Sequence, residues 1–182
     1  MQKIKPSSRD AIIEAAFQTF GQRPGASLGT VAERAGVGRA TLHRHFSSRH
    51  DLMVALAQIA IKELNEAVDA ATADAKSHTD SMRLALGAII PLASRQWFLS
   101  HETVEDDPEI AAAYESDIAE LHTEIEAAMA EGGIAADLST EWIAEVYLNL
   151  IYAAWTMVRT EEATPSQAAD MAWRTFMKGV AE

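Results

Sequence analysis

The clearest prediction of the fold comes from residues 27–52, which read SLGTVAERAGVGRATLHRHFSSRHDL. It begins at Ser27, a residue type favoured at helix N-caps, and its first apolar residues recur at the spacing of one helix face. A tight turn is predicted at Gly36-Val37, and a second short helix over about residues 38–45. Two short amphipathic helices joined by a glycine-containing turn form the helix-turn-helix pattern. We therefore predict a DNA-binding motif within these residues.

The second helix of this motif has one face that suits a DNA major groove. Leu42 and Phe46 are predicted to point inward with Gly38, whereas the opposite face is short and polar. An arginine such as Arg44 can donate to both acceptors of guanine, and Thr41 can meet a thymine methyl group or a phosphate. The pattern therefore predicts a recognition helix.

Charge is distributed unevenly along the chain. The formal net charge is −12, but residues 1–52 hold eight basic and four acidic side chains, a net of +4. The remainder holds seven basic and 23 acidic side chains, a net of −16. A basic N-terminal part is typical of a polyanion-binding module, although a solvated basic face would give the same count. Arg49, in the first turn of the next helix, is placed to bind a phosphate together with backbone N–H groups.

The same stretch resembles the tetracycline-repressor (TetR) family of bacterial transcription regulators. The signature of that family runs roughly Ala-Gly-Val-Ser-x-Gly-Thr-Leu-Tyr-x-His-Phe-x-Ser-Lys-x-x-Leu, and residues 35–52 read AGVGRATLHRHFSSRHDL. The resemblance covers about the first 55 residues, and beyond them only length and helical character agree. Four positions depart from the signature: Gly38 replaces Ser, Ala40 replaces Gly, His43 replaces Tyr and Arg49 replaces Lys.

The resemblance implies that the second helix of the motif enters the major groove and that Arg49 grips a phosphate. It also implies that Gly29 stands where many members carry a basic or polar contact residue. Members are usually homodimers that pair through their last two helices, and most are repressors that a small molecule releases. The residues predicted to contact DNA are Arg39, Ala40, Thr41, His43, Arg44, His45 and Arg49.

The whole chain is predicted to be all-α, because helix-forming residues dominate and no useful stretch alternates with period two. We expect a helix-turn-helix DNA-binding domain over residues 1–52 and a helical dimerisation and ligand-binding domain over residues 53–182. Pro91 should kink or divide the helix that it interrupts. Helices are predicted over about 8–21, 28–35, 38–45, 48 into the seventies, 80–100, 108–131 and 139–160, with a last one from Thr164-Pro165.

The last two predicted helices have the pattern of a dimer interface. The helix over residues 139–160 is apolar on two sides and is therefore expected to be buried on two sides. The final helix adds aromatic side chains, which are favoured at interfaces. A core helix within a monomer is the alternative interpretation. The residues predicted at the interface of a homodimer are Val146, Leu150, Ala154, Trp173 and Phe176.

Aromatic and histidine side chains recur along the C-terminal part of the chain. An apolar pocket with a few polar groups is the usual small-molecule site, although aromatic residues at helical spacing are also the usual content of a core. We expect an apolar or aromatic effector whose identity is unknown. The residues predicted to line its pocket are Trp97, Phe98, His101, Tyr114, His122, Tyr152 and Trp155.

Two functions therefore remain open. The first is a sequence-specific transcription regulator that a ligand releases from an inverted-repeat operator in double-stranded DNA. The second is a constitutive DNA-binding regulator whose C-terminal domain only dimerises or binds another protein. A closed cavity would favour the first function, and a solid aromatic core would favour the second.

Enzymatic and membrane functions are not predicted. His101-Glu102 lacks the second histidine of the zinc-protease motif, the chain has no cysteine, and no glycine-rich phosphate loop is present. No constellation supplies a nucleophile, a base and a stabilising group, so we expect neither a cofactor nor a catalytic metal. The N-terminal residues lack a signal-peptide core, and the richest apolar window, residues 142–158, is interrupted by Glu145 and Asn149. We expect a cytoplasmic protein without membrane contact.

Overall fold

The structure is a computed structural model that describes residues 7–92, 95 and 107–180. These residues form eight α-helices and a short 3₁₀ turn at Ile90–Leu92, and none of them forms a strand. The predicted all-α class is therefore confirmed. The helices are α1 Ser8–Gln22, α2 Leu28–Arg34, α3 Arg39–His45, α4 Arg49–Thr72, α5 His78–Ile89, α6 Pro108–Ala130, α7 Thr140–Arg159 and α8 Pro165–Val180.

Most helix boundaries lie at capping residues that can be recognised in the sequence. The Ser27 hydroxyl accepts from the Thr30 N–H at 3.2 Å at the start of α2. Thr164 and Gln167 exchange hydrogen bonds at the start of α8, at 3.0 and 3.3 Å, which is the predicted capping box. Because proline lacks a backbone N–H, α5 ends at Ile89 and Pro91 lies within the 3₁₀ turn. The predicted continuation toward residue 100 lies outside the described residues, apart from Arg95.

The contacts divide the chain into two compact units. The first comprises the described residues within Met1–Ile61 and Ser94–Ile110, and the second those within Lys62–Ala93 and Ala111–Glu182. The division falls inside α4, beyond the predicted boundary between residues 52 and 53. That boundary stays a prediction about where DNA binding ends.

The first unit encloses a core formed by α1, α2, α3 and the beginning of α4. Its fully buried large side chains are Phe17, Phe20, Ile12, Leu42, Leu52 and Leu56. Arg95 covers one side of α1: its guanidinium donates to Glu14 at 2.9 Å and lies 4.4 Å from the centre of the Phe17 ring. Partial burial disfavours the charged Glu14 carboxylate, but hydrogen bonds from Arg95 and Gln18 outweigh it and lower the pKa of Glu14.

The second unit has its own core, in which α7 and α8 pack side by side. Tyr147 on α7 donates its hydroxyl to the Met82 carbonyl oxygen at 2.7 Å, and its ring meets Phe176 on α8 edge to face at 5.4 Å. Burial raises the pKa of Tyr147 well above its ordinary value, so the hydroxyl stays protonated as a donor. This contact joins α5, α7 and α8 at one point.

The core of the second unit corrects part of the predicted dimer interface. Phe176 is fully buried within its own chain, and Ala154 is 4% exposed. Neither side chain therefore has surface left for a second subunit, because the apolar stripe that contains them already packs inside one chain. Val146, Leu150 and Trp173 are half-buried against the same core and keep part of their surface. They stay predicted interface residues.

Candidate nucleic-acid interface

The turn between α2 and α3 has the geometry that the sequence predicted. Gly36 adopts φ +67°, a left-handed conformation that costs a side-chain-bearing residue about 1–2 kcal/mol. Its N–H donates to the Glu33 carbonyl oxygen at 3.1 Å, and the Val37 N–H donates to that of Ala32 at 3.0 Å. These bonds close α2 and redirect the chain, so that α3 begins two residues later with Gly38 as its N-cap.

The two faces of α3 separate as predicted. Leu42 and Phe46 anchor the helix in the core, at 1% and 4% exposure. Thr41 is half-buried. The residues predicted to contact DNA on the opposite face are exposed: Arg39, Ala40, His43, Arg44 and His45. The structure therefore brings five of the seven predicted DNA contacts onto one exposed surface, with Thr41 at its border.

The exposed arginines of α3 keep their hydrogen-bonding capacity. No hydrogen bond or ion pair within the described residues involves Arg39 or Arg44, whereas Arg34 on α2 donates to Gln22 at 3.0 Å. A guanidinium offers five donors in a planar fork that matches guanine and phosphate acceptors. The α3 face therefore presents two cationic forks to solvent, and neither has an acceptor among the residues that the structure describes.

The surface between α2 and α3 contains an open cleft of about 390 Å³. Its lining includes the apolar side chains of Leu28 and Leu42 and the exposed side chains of Arg39 and His43. The residues that line it are Ser27, Leu28, Gly29, Arg39, Leu42 and His43. The cleft is thus continuous with the exposed face of the predicted recognition helix.

Arg49 has a structural role that the sequence did not reveal. Its two terminal nitrogens donate to the carbonyl oxygens of Ala26 and Pro24, at 2.6 and 2.7 Å, and its guanidinium lies 4.4 Å from the centre of the Phe20 ring. The side chain therefore fastens the loop between α1 and α2 to the start of α4. Its partners lie more than 20 residues away in sequence, so no local spacing signals them. The predicted phosphate contact stays a prediction.

The start of α4 is held by hydroxyl groups. Ser48 accepts from the Asp51 N–H at 3.0 Å, as expected of a cap, and the Ser47 hydroxyl donates to the Asp51 carboxylate. The hydrogen bond from Ser47, followed by that from Ser48, lowers the pKa of Asp51, so this exposed carboxylate is ionised at neutral pH. The same bonds fix the turn from which Arg49 projects.

The residues predicted to line a ligand pocket are dispersed. Tyr114 is 55% exposed and Tyr152 is also exposed, so neither lies in an enclosed site, whereas His122 is half-buried. Trp155 is buried in the core of the second unit, and its indole N–H has no hydrogen-bond partner among the described residues. The three predicted residues Trp97, Phe98 and His101 lie outside the described residues.

Metal sites and membrane spans are not found in the described part of the chain. Residues 7–92, 95 and 107–180 contain no group of three metal-ligating side chains. Within the same ranges, no helix is long and apolar enough to cross a membrane. Nδ1 of His78 lies 3.1 Å from a carboxylate oxygen of Glu124, and its Nε2 lies 3.9 Å from one of Glu131, so the two carboxylates face different atoms of the ring.

Two short helices at a fixed turn, the second exposing arginines that have no acceptor among the described residues, have the geometry of a helix-turn-helix. The sequence model of the family described as "Bacterial regulatory proteins, tetR family" matches residues 12–56. Over these residues the chain is similar to members of that family.

Similarity to individual proteins extends beyond the helix-turn-helix. The HTH-type transcriptional repressor LfrR of Mycolicibacterium smegmatis is 33% identical over 109 residues, which are 59% of this chain and 58% of LfrR. That alignment spans less than two thirds of the length of LfrR. The crystal structure of LfrR in complex with proflavine superimposes with a TM-score of 0.76 at 25% identity, covering 96% of this chain and 98% of the other.

A more distant structure shares the fold. KstR2 of Mycobacterium tuberculosis, a ketosteroid transcriptional regulator, has a TM-score of 0.82 at 15% identity and covers 98% of this chain and 97% of its own. LfrR is thus a transcriptional repressor, whereas the likeness to KstR2 concerns the fold alone.

Proposed function

We propose that this chain is a transcriptional repressor that binds an inverted-repeat operator as a homodimer in the cytoplasm and is released by an aromatic small molecule. The observation that carries the proposal is the exposed face of α3, where Arg39 and Arg44 have no acceptor among the described residues. A solvated basic face would not require the opposite side of so short a helix to be anchored by Leu42 and Phe46. This anchoring fixes the orientation of α3 itself, so that its exposed arginines extend from a helix of defined position, as base recognition requires.

A two-fold dimer accounts for the use of such a short recognition helix. One helix of seven residues reads few base pairs, and two-fold symmetry doubles the contacts while demanding an inverted repeat. Exposed apolar side chains on α7 and α8 support dimerisation through these helices. They include Trp142, which is 60% exposed, together with Tyr152 and Met171.

An aromatic effector is supported by three features. LfrR, which resembles this chain over most of its length, has been crystallised with proflavine, a planar aromatic cation. In this chain the Trp155 indole N–H is buried without a partner among the described residues, and an unsatisfied buried donor costs about 1–3 kcal/mol unless something pairs with it. The acidic second part of the chain would also attract a cation.

Binding to DNA can be tested with an operator selected from random sequence. We expect salt-sensitive binding to an inverted repeat, and Arg44→Ala should flatten discrimination at one base step by about 1–3 kcal/mol. Arg34→Ala is the matched control, because Arg34 is an exposed arginine that is occupied by Gln22 and lies outside the predicted contacts. Salt-independent binding, or equal effects of the two substitutions, would contradict the assignment of α3.

Release by a ligand can be tested with proflavine as the probe. We expect it to quench tryptophan fluorescence and to weaken operator binding by roughly 5- to 150-fold, with operator-bound protein binding proflavine more weakly by the same factor. Trp155→Phe keeps an aromatic ring but removes the unpaired N–H, and it should change proflavine affinity without changing operator affinity in the absence of the dye. If the dye binds but operator affinity stays constant, the chain is a constitutive regulator, an alternative favoured by the solid packing of Tyr147 and Phe176.

A further inference from the structure

Gly29 and Arg39 fit against each other across the two helices of the DNA-binding motif. A Cβ atom added at Gly29 would lie 3.1 Å from one terminal nitrogen of Arg39, and 3.4 Å from its Cζ and Nε. The first of these distances is shorter than ordinary van der Waals contact. The guanidinium of α3 therefore covers the surface of α2 at the one place where α2 has no side chain.

This packing restricts the arginine without consuming its donors. Arg39 is exposed, and no acceptor among the described residues receives a hydrogen bond from it. An arginine on an open helix face has many rotamers, and fixing them costs up to about 2 kcal/mol. The close approach of the guanidinium to the Cβ position of Gly29 indicates that its side chain already lies along α2 before any ligand arrives.

The surroundings of the guanidinium favour a base edge over a phosphate. Arg39 lines the cleft between α2 and α3 together with the apolar side chains of Leu28 and Leu42. Phosphate binding tolerates a mobile side chain, whereas bidentate donation to guanine O6 and N7 requires the planar fork to hold one orientation. A restrained fork beside a partly apolar cleft matches the second requirement.

We propose that Arg39 reads a guanine of the operator half-site and that Gly29 is a positioning residue. The lack of a side chain at Gly29 determines the direction that the Arg39 side chain takes. The inference rests on the proposed DNA-binding function and adds a specificity determinant to it. The absence of a side chain at position 29 is then what gives the arginine its place, because a methyl group there would already require the guanidinium to shift slightly and a larger side chain would displace it from α2.

The test is a double-mutant cycle read out on an operator selected by the wild-type protein and on its single-base variants. Arg39→Ala should weaken binding to that operator by roughly 5- to 150-fold and abolish the preference at one position of each half-site. Gly29→Leu should remove the preference at the same position. Gly29→Leu added to Arg39→Ala should have almost no further effect, because the guanidinium that it displaces is already absent.

Two further variants test whether misfolding, or the mere addition of a leucine to a helix, explains a lost base preference. Gly29→Ala brings only one methyl group against a flexible side-chain end, so it should give a weaker form of the same loss if Gly29→Leu disturbs folding. Gly87→Leu is the matched control, since Gly87 is also helical and no atom of the described residues lies within 4 Å of its Cβ position. It should leave base preference unchanged.

The outcomes separate this inference from the proposed function. If no DNA is selected at all, the proposed function fails and the inference fails with it. If an operator is selected but Gly29→Leu still weakens binding in the Arg39→Ala background, the introduced leucine side chain collides with DNA directly and the positioning role is wrong. If Arg39→Ala weakens binding to every sequence equally and lowers the salt slope by about one, Arg39 is a phosphate contact and base reading is overturned.

Discussion

Phe176→Ala will lower the free energy of unfolding by about 3–5 kcal/mol, the usual cost of removing a fully buried phenylalanine ring. Phe176 is 0% exposed and packs against both Tyr147 and Trp173, with ring centroids at 5.4 and 5.5 Å. Its truncation leaves a cavity where α8 meets α7. Chemical denaturation followed by circular dichroism measures the effect, which should be similar at low and high protein concentration.

Tyr114→Ala is the control, because it removes an aromatic ring of similar size that is 55% exposed. It should change the unfolding free energy by about 0.5 kcal/mol or less, as surface substitutions generally do. The sequence pattern alone placed Phe176 at the subunit interface. If Phe176→Ala instead yields a stable monomer with an unchanged unfolding midpoint, the interface assignment is right and the buried position of Phe176 is not.

Arg49→Ala is expected to lower the stability of the first unit by about 2–3 kcal/mol, and with it the affinity for every DNA sequence. The substitution removes two charge-assisted hydrogen bonds, to the carbonyl oxygens of Ala26 and Pro24, and the contact with the Phe20 ring. The loop before α2 loses its attachment to α4, so the helix-turn-helix is no longer held in one position. Unfolding curves and binding to a selected operator measure the two effects.

Arg49→Lys distinguishes the structural role from a phosphate contact. Lysine keeps the charge that a phosphate needs, but its single ammonium cannot reproduce the planar fork that reaches two carbonyl oxygens. We therefore expect Arg49→Lys to remain clearly less stable than the wild type. Full stability in both variants, with DNA affinity lost only in Arg49→Ala, would leave phosphate binding as the sole role of Arg49.

The local features of this protein could be predicted from residues that are close together in the sequence. Ser27 and Thr164 indicated where helices begin, because their hydroxyls accept from backbone N–H groups a few residues away. Gly36 indicated the turn, because a left-handed backbone conformation favours glycine. α5 ends before Pro91 because proline lacks the backbone N–H that would continue the helix, which is also a local property of the sequence. The division of α3 into a buried face and an exposed basic face followed from helical periodicity, which depends only on spacing along the chain.

Which side chains face one another across different helices could be seen only in the tertiary structure. Periodicity shows that a side chain such as Phe176 is covered, but not whether its own chain or a second subunit covers it, and here the chain's own α7 does so. Nor can spacing pair Arg49 with the carbonyl oxygens of Pro24 and Ala26, or set Arg39 against Gly29. These contacts join residues that are distant in sequence, and their geometry exists only once helices pack, because packing fixes the distance and direction between side chains of different elements.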